Sequence, residues 1–212
     1  MKNMEKEKVI NVITLGDSGV GKTSIIQRFK DDTFSDDKNV TLGIDVIILK
    51  RKFENRDLTI SLNIHDTAGQ EVYKSMPLNY IRNSHIVLLV FSNINTLNEI
   101  KNRWLNLYKK HSNVENSIFI IVGNKSDIFG DQRDEIIKQG KQFAEKLDAH
   151  FITCSAKNKD NMDNLENYIV TEAKRFIKEE EKMQKYSNDK NNNKEIIIDK
   201  QSVKNKKSNC KC

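Results

Sequence analysis

Short apolar runs alternate with helix-like segments along the chain from residue 9 to residue 177. Six of the runs have the length of β-strands, and between them apolar residues recur every three or four positions. This alternation is typical of a mostly parallel sheet covered by helices. Residues 53–57 have turn character, which predicts that the second and third strands form an antiparallel hairpin at the sheet edge. We therefore predict an α/β domain with a six-stranded, mostly parallel sheet and about five helices.

The charge of the chain is concentrated near its C-terminus. Residues 187–212 hold seven lysines and three acidic residues, and they account for most of the net charge of +6. This Asn- and Lys-rich segment has too few apolar residues to fold, which predicts a disordered tail after a domain at residues 9–186, with residues 1–8 as an N-terminal extension. Because the basic excess lies in the tail, the domain lacks the basic face that a nucleic-acid binder needs.

The short apolar runs exclude a transmembrane protein, and the position of the cysteines excludes a disulfide-stabilised secreted protein. The longest run, residues 86–91, has six residues, whereas a transmembrane helix needs about 20. The chain has three cysteines, and two of them, Cys210 and Cys212, lie at the extreme C-terminus, where no disulfide framework uses them. We expect a cytoplasmic protein.

Residues 16–23 read GDSGVGKT, follow the first predicted strand and precede a helical pattern. They fit the GxxxxGK[ST] pattern, in which glycines let backbone N–H groups face a phosphate chain, the lysine reaches the β and γ phosphates and the Thr hydroxyl binds Mg²⁺. The alternative, a chance glycine-rich turn, is disfavoured by the flanking elements. The pattern does not separate ATP from GTP. The nucleotide-binding residues predicted here are Gly16, Asp17, Ser18, Gly19, Val20, Gly21, Lys22, Thr23 and Ser24.

Residues 124–127 read NKSD and lie where the fifth strand ends. An ionised Asp127 can accept both the N1–H and the 2-amino group of guanine, whereas adenine presents an acceptor at N1. Such a string alone more often forms a simple turn, but its position in a chain with a phosphate loop favours GTP. We predict base contacts from Asn124, Lys125 and Asp127.

Residues 66–70 read DTAGQ and follow the third strand. The carboxylate of Asp66 can hold Mg²⁺ through a water, and the N–H of Gly69 can reach a γ-phosphate. Gln70 lies where an amide can orient an attacking water, although alone it is better interpreted as an exposed loop residue.

With these segments in order, the sequence resembles the small GTPases of the Ras superfamily over residues 9–178. The resemblance also covers Thr41 and the SAK string of residues 155–157, and it implies a P-loop NTPase fold of the small G domain type. It further implies that Thr41 binds Mg²⁺ and γ-phosphate and that Phe34 contacts the base. At the base, the backbone of Ala156 would meet guanine O6, and Lys125 and Lys157 would pack along the ring. Ser155 is also implied to be a nucleotide-binding residue. The implied catalytic residues are Gln70, Lys22 and Thr41, and the implied metal ligands are Thr23, Thr41 and Asp66.

Within the superfamily the chain resembles a Rab protein. The segments TFSDDKNVTLGID and YIRNS are similar to Rab segments, and the ending Cys210-Lys211-Cys212 is similar to the CxC end that receives two geranylgeranyl groups. The resemblance implies a monomeric GTP/GDP switch for vesicle transport on the cytoplasmic face of a Golgi or endosomal membrane, with KSMPLNYIRNS favouring the Golgi type. It implies an exchange factor, an activating protein, a dissociation inhibitor and effectors as partners.

The chain departs from the Rab pattern on the effector surface. Where Rabs usually carry three aromatic residues it has Val46, His65 and Tyr73, and Val72 replaces an arginine of the second switch. His65 shares a strand face with polar residues, which predicts a solvent-facing side chain. No arginine lies between residues 34 and 41, so we expect slow hydrolysis that an activating protein accelerates. The altered switch residues leave open an alternative, a slowly hydrolysing GTP-bound scaffold on membranes.

Overall fold

The computed structural model of the chain describes residues 6–35, 44–53, 58–67, 78–114 and 116–206, with side chains as far as residue 184, that of residue 44 excepted. Five predicted site residues lie outside this described part: Thr41, Gly69, Gln70, Cys210 and Cys212. The chain divides into two compact units, Met1–Ala173 and Lys174–Cys212. All of the strands and the candidate site belong to the first unit.

Six strands form one sheet in the described residues, in the order β2-β3-β1-β4-β5-β6. The first two strands of this order pair antiparallel, and every other neighbouring pair is parallel. The predicted α/β class and the antiparallel hairpin at the sheet edge are therefore confirmed. The strands are β1 (Lys6–Leu15), β2 (Ile44–Lys52), β3 (Leu58–Thr67), β4 (Ile86–Phe91), β5 (Ile118–Gly123) and β6 (His150–Thr153).

Helices connect the parallel strands. The α-helical segments are α1 (Lys22–Asp31), α2 (Leu78–Arg82), α3 (Ile94–Glu99), α4 (Leu105–His111), α5 (Arg133–Lys146) and α6 (Met162–Lys206). A π-helical turn at Ile100–Trp104 joins α3 and α4 into one continuous helix, so these six segments make five α-helices in the described residues, in agreement with the prediction of about five. None of the helices in the described residues is both long and apolar enough to cross a membrane.

Strand β4 lies at the centre of the core. Its six residues, IVLLVF, are all fully buried, as expected for a strand covered on both faces. The side chains of Trp104 and Tyr108, from the helix after β4, are buried in the same cluster. Because β1, β3, β4, β5 and β6 are parallel, their carboxyl ends meet at one edge of the sheet, where ligands bind in folds of this class. Three predicted site segments, residues 16–24, 124–127 and 155–157, follow the carboxyl ends of β1, β5 and β6, and Asp66 lies near the end of β3.

Strand β1 begins earlier than the sequence predicts. We predicted a strand from Val9 and an N-terminal extension at residues 1–8, but Lys6, Glu7 and Lys8 already pair with β3. Strand β4 joins β1 only from Val12 onward, so the first residues of β1 have one neighbouring strand and their charged side chains reach solvent. Charged residues at these positions are therefore compatible with a strand. The apolar pattern could not predict this part of β1, because these residues are not apolar.

Helix α6 ends later than the sequence predicts. We placed its end near Tyr186 and a disordered tail after it, but the backbone is helical to Lys206. No glycine or proline interrupts this stretch, so no residue in it breaks a helix. The domain boundaries at residues 8 and 186 stay predictions.

Candidate functional site

The phosphate loop, residues 16–21, connects β1 to α1. Gly16, Gly19 and Gly21 all have positive φ angles, of 152°, 76° and 94°, which side chains disfavour. A Cβ on Gly21 would lie 2.3 Å from Nδ2 of Asn124, and one on Gly16 would lie 2.1 Å from the carbonyl oxygen of Val90. Glycine is therefore required at these two positions both by backbone conformation and by the neighbouring atoms.

Lys22 begins helix α1 and folds its side chain back into the phosphate loop. Its Nζ donates to the carbonyl oxygens of Gly16 at 2.8 Å and Asp17 at 2.9 Å, and the residue is only 5% exposed. Burial lowers the pKa of Lys22 to about 8, against the opposing charges of Asp66 and Asp17. A buried ammonium held by carbonyls at a helix N-terminus favours an anionic ligand.

Asp66, near the end of β3, presents a carboxylate beside Lys22 and Thr23. The residue is 2% exposed, and burial raises its pKa, with the charge of Asp45 acting in the same direction. A hydrogen bond with the Thr23 side chain and the charge of Lys22 oppose that rise. Within the described residues its Oδ1 is buried and has no hydrogen-bond partner. A buried carboxylate oxygen without a partner next to a threonine hydroxyl fits a hard divalent cation such as Mg²⁺.

Asn124 joins the phosphate loop to the loop after β6. It is buried, its Nδ2 donates to the carbonyl oxygen of Val20 at 2.9 Å, and its Oδ1 accepts the backbone N–H of Ala156 at 3.1 Å. Nearby, the hydroxyl of Ser155 donates to Oδ1 of Asp127 at 2.6 Å. The structure thus brings together three segments that the sequence predicted separately: residues 16–24, 124–127 and 155–157.

An arginine that the sequence analysis missed holds the same loop from the other side. Arg28 of α1 donates from Nε to the carbonyl oxygen of Ala156 at 2.7 Å and from Nη2 to that of Lys157 at 2.9 Å. Its Nη1 donates to the carbonyl oxygen of Asp32 at 2.7 Å, and its guanidinium lies 5.7 Å from the ring centroid of Phe34. We call this arrangement the Arg28 clasp. No local sequence pattern predicts the two bonds to the loop after β6, since Ala156 and Lys157 are 128 and 129 positions away from Arg28.

His65 is buried, which corrects the prediction of a solvent-facing side chain. The residue is 7% exposed and its ring lies 4.4 Å from that of Tyr80 on α2. Burial lowers the pKa of His65. The alternation along β3 could not show that a helix covers this part of the strand face. On the neighbouring strand, Val46 pairs with His65 and is 46% exposed.

Known proteins are similar in sequence to most of this chain. A family model described as the Ras family matches residues 11–175. The Ras-related protein RabC of Dictyostelium discoideum is 34% identical over 82% of this chain and 89% of its own length. The GTP-binding protein ypt1 of Schizosaccharomyces pombe is 34% identical over 76% of this chain and 78% of its own. The Ras-related protein RABA4b of Arabidopsis thaliana is 36% identical over 77% of this chain and 72% of its own length.

Proposed function

Because the chain belongs to the Ras family, as a Rab-type small GTPase of vesicle trafficking, we propose that it cycles between GTP- and GDP-bound forms through the site described above. The observation that carries this proposal is the buried ammonium of Lys22 inside the glycine loop. In this role Lys22 contacts the β and γ phosphates, while the N–H groups of residues 16–24 surround the phosphate chain.

The base is held by residues 124–127 and 155–157. Asp127 accepts the N1–H and 2-amino groups of guanine, and the backbone N–H of Ala156 donates to O6. Lys125 and Lys157 pack along the ring, and Phe34 contacts its edge. The bond from Ser155 to Asp127 supports this assignment, because it holds the carboxylate in a fixed orientation.

Thr23, Asp66 and Thr41 are the residues that would hold Mg²⁺. The unpartnered Oδ1 of Asp66 beside Thr23 supports two of these three assignments. When bound there, the ion would supply positive charge that neutralises the phosphates of the nucleotide. Thr41 is assigned from the sequence alone.

Hydrolysis is assigned to Gln70, which would orient the attacking water, with Lys22 and Thr41 stabilising charge on the γ-phosphate. Gly69 would donate its N–H to the same phosphate and report its presence. With no arginine between residues 34 and 41, intrinsic turnover is slow, and an activating protein that inserts one accelerates it about 10³- to 10⁵-fold. An exchange factor, a dissociation inhibitor and effectors complete the set of partners.

Titration calorimetry of the full chain with GTP and ATP tests the nucleotide assignment. We expect binding of GTP with Mg²⁺ and no comparable binding of ATP. The variant Asp127→Asn is expected to prefer xanthosine triphosphate, because its amide can donate to the 2-oxo group that replaces the 2-amino group. Equal binding of GTP and ATP by the natural chain would exclude a guanine-specific site.

Single-turnover hydrolysis separates the switch from the scaffold alternative, which the altered effector-surface residues Val46 and His65 keep open. A switch is accelerated by a Rab-type activating protein, and the variant Gln70→Leu loses that acceleration. No acceleration, together with slow nucleotide release, would favour the scaffold.

Membrane attachment is assigned to prenyl groups on Cys210 and Cys212, helped by the lysines of the tail. Two lipid chains give stable attachment where one gives only marginal residence, and basic residues add attraction to anionic lipid. We place the protein on the cytoplasmic face of a Golgi or endosomal membrane, as a monomer. Imaging a tagged chain beside a Cys210→Ser/Cys212→Ser variant tests this assignment, and membrane signal that survives in the variant would contradict it.

A further inference from the structure

The second residue of the phosphate loop is bound by a tryptophan from the helix after β4. The indole Nε1 of Trp104 donates to Oδ1 of Asp17 at 2.8 Å. Trp104 is fully buried and is the single tryptophan of the chain. A buried indole N–H needs an acceptor, and here the acceptor is a carboxylate of the loop that we assign to phosphate binding.

Arg103 lies beside the same carboxylate. Its Nη1 is 4.0 Å from Oδ1 of Asp17, and its guanidinium carbon is 5.1 Å from the centroid of the Trp104 ring. Both residues belong to the π-helical turn, in which the N–H of Leu105 bonds the carbonyl oxygen of Ile100. Turns of this kind are rare inside α-helices and are found frequently at functional sites.

A carboxylate in a loop that binds phosphate creates an electrostatic problem. Two negative charges a few ångströms apart in a partly buried site repel each other strongly, so an Asp17 side chain turned toward the nucleotide would weaken binding. The backbone carbonyl oxygen of Asp17 also accepts a hydrogen bond from Nζ of Lys22. The orientation of Asp17 therefore affects both the charge that the phosphates meet and the position of the lysine.

We propose that Trp104 is a positioning residue for nucleotide binding, which holds the Asp17 carboxylate against the π-helical turn and away from the phosphates, with Arg103 as a second partner. This inference rests on the proposed function. The π-helical turn holds both partners of the Asp17 carboxylate, so that an acidic side chain is tolerated in an anion-binding loop.

The test measures the dissociation constants of GDP and GMP for the natural chain, Trp104→Phe, Asp17→Asn and the double variant. Phenylalanine keeps an aromatic ring and removes the N–H, so we expect GDP to bind about tenfold more weakly, the loss of one hydrogen bond to a charged group. The dissociation constant of GMP, which lacks the β-phosphate, is expected to change little. In the Asp17→Asn background, the same Trp104→Phe change is expected to weaken GDP binding less than about threefold, because a neutral amide does not repel phosphate.

Equal losses in both backgrounds, or equal losses for GDP and GMP, would overturn the proposal, since Trp104 would then act through general stability. Tyr108→Phe is the matched control. It removes a buried aromatic hydroxyl that bonds the carbonyl oxygen of Ser84 and the hydroxyl of Ser117, and it is expected to lower thermal stability without changing the ratio of the GDP and GMP constants.

If Trp104→Phe does not fold, the fluorescence of Trp104 in the natural chain and in Asp17→Ala answers the same question. We expect removal of GDP to change the emission in the natural chain and to have no effect in Asp17→Ala. The same response in both proteins would overturn the proposal. Failure of the natural chain to bind GDP in preference to ADP would instead contradict the proposed function.

Discussion

Arg28 offers the sharpest test of how the base-binding loop is held. Its guanidinium bonds the backbone of residues 156 and 157 from one side, while Asn124 bonds the N–H of Ala156 from the other. The change Arg28→Ala removes the first set of bonds and leaves Asn124 in place. Arg28→Lys keeps the charge but supplies one ammonium where the guanidinium makes separate bonds through Nε, Nη1 and Nη2.

The expected magnitude follows from these contacts. A net hydrogen bond from a charged donor contributes about 1.5–3 kcal/mol, and the bond to Ala156 is part-buried while those to Lys157 and Asp32 are exposed. We therefore assign about 1.5 kcal/mol to the first bond and less to the other two. The contact with Phe34 adds about 0.5–1 kcal/mol. Arg28→Ala is expected to lower the free energy of unfolding by about 2–4 kcal/mol in total.

The rate of GDP release shows how much of this lost free energy affects the nucleotide site. If the loop of Ala156 is ordered by the clasp, losing the part-buried bond of about 1.5 kcal/mol accelerates GDP release about tenfold. Stopped-flow release of a fluorescent GDP measures this rate, and urea unfolding measures stability. Lys159→Ala is the control, because it removes the exposed 2.6 Å ion pair with Asp32 and leaves the bonds of Arg28 in place. It is expected to change both quantities little. Arg28→Ala with lower stability but unchanged GDP release would refute the reasoning.

Three further results are expected. Gly21→Ala is expected to lower stability more than Gly19→Ala does, as measured by unfolding without nucleotide. Both positions have a positive φ angle, but only a Cβ on Gly21 would meet Asn124. Equal losses of stability in the two variants would contradict this. In a variant whose two C-terminal cysteines are serine, Cys154 is expected to resist alkylation at pH 8 until the chain unfolds, since burial raises its pKa to about 12 and only the thiolate reacts. Because an unfolded thiol ionises near its ordinary pKa of 9, stability is expected to fall as the pH rises from 9 toward 12.

The sequence predicted the features of the fold that depend on local pattern. Apolar runs and turn residues located the strands, and the hairpin of β2 and β3 followed from the residues between them. The glycine loop could be recognised because its chemistry requires fixed residue types at fixed spacing. These signals lie within a few residues of the feature that they predict.

Contacts between distant segments could not be predicted in the same way. His65 has the alternation of an exposed residue, but it is buried, and Tyr80 from another element packs against its ring. Asp17 and Trp104 are 87 positions apart, and nothing near either residue indicates the bond. The charged residues at the start of β1 are a related case, because their exposure depends on where the neighbouring strand begins.

The charges of the site indicate that nucleotide binding and folding stability are linked. Burial disfavours the ionised forms of both Lys22 and Asp66, lowering the pKa of the first and raising that of the second. The two side chains offset each other's charge only in part, so without a ligand the fold bears a desolvation cost that a phosphate chain and a divalent cation would relieve. A ligand that binds only the folded chain adds about 1.4 kcal/mol of stability for each tenfold excess over its dissociation constant. The nucleotide is therefore expected to act as a structural component of this edge of the sheet as well as a substrate.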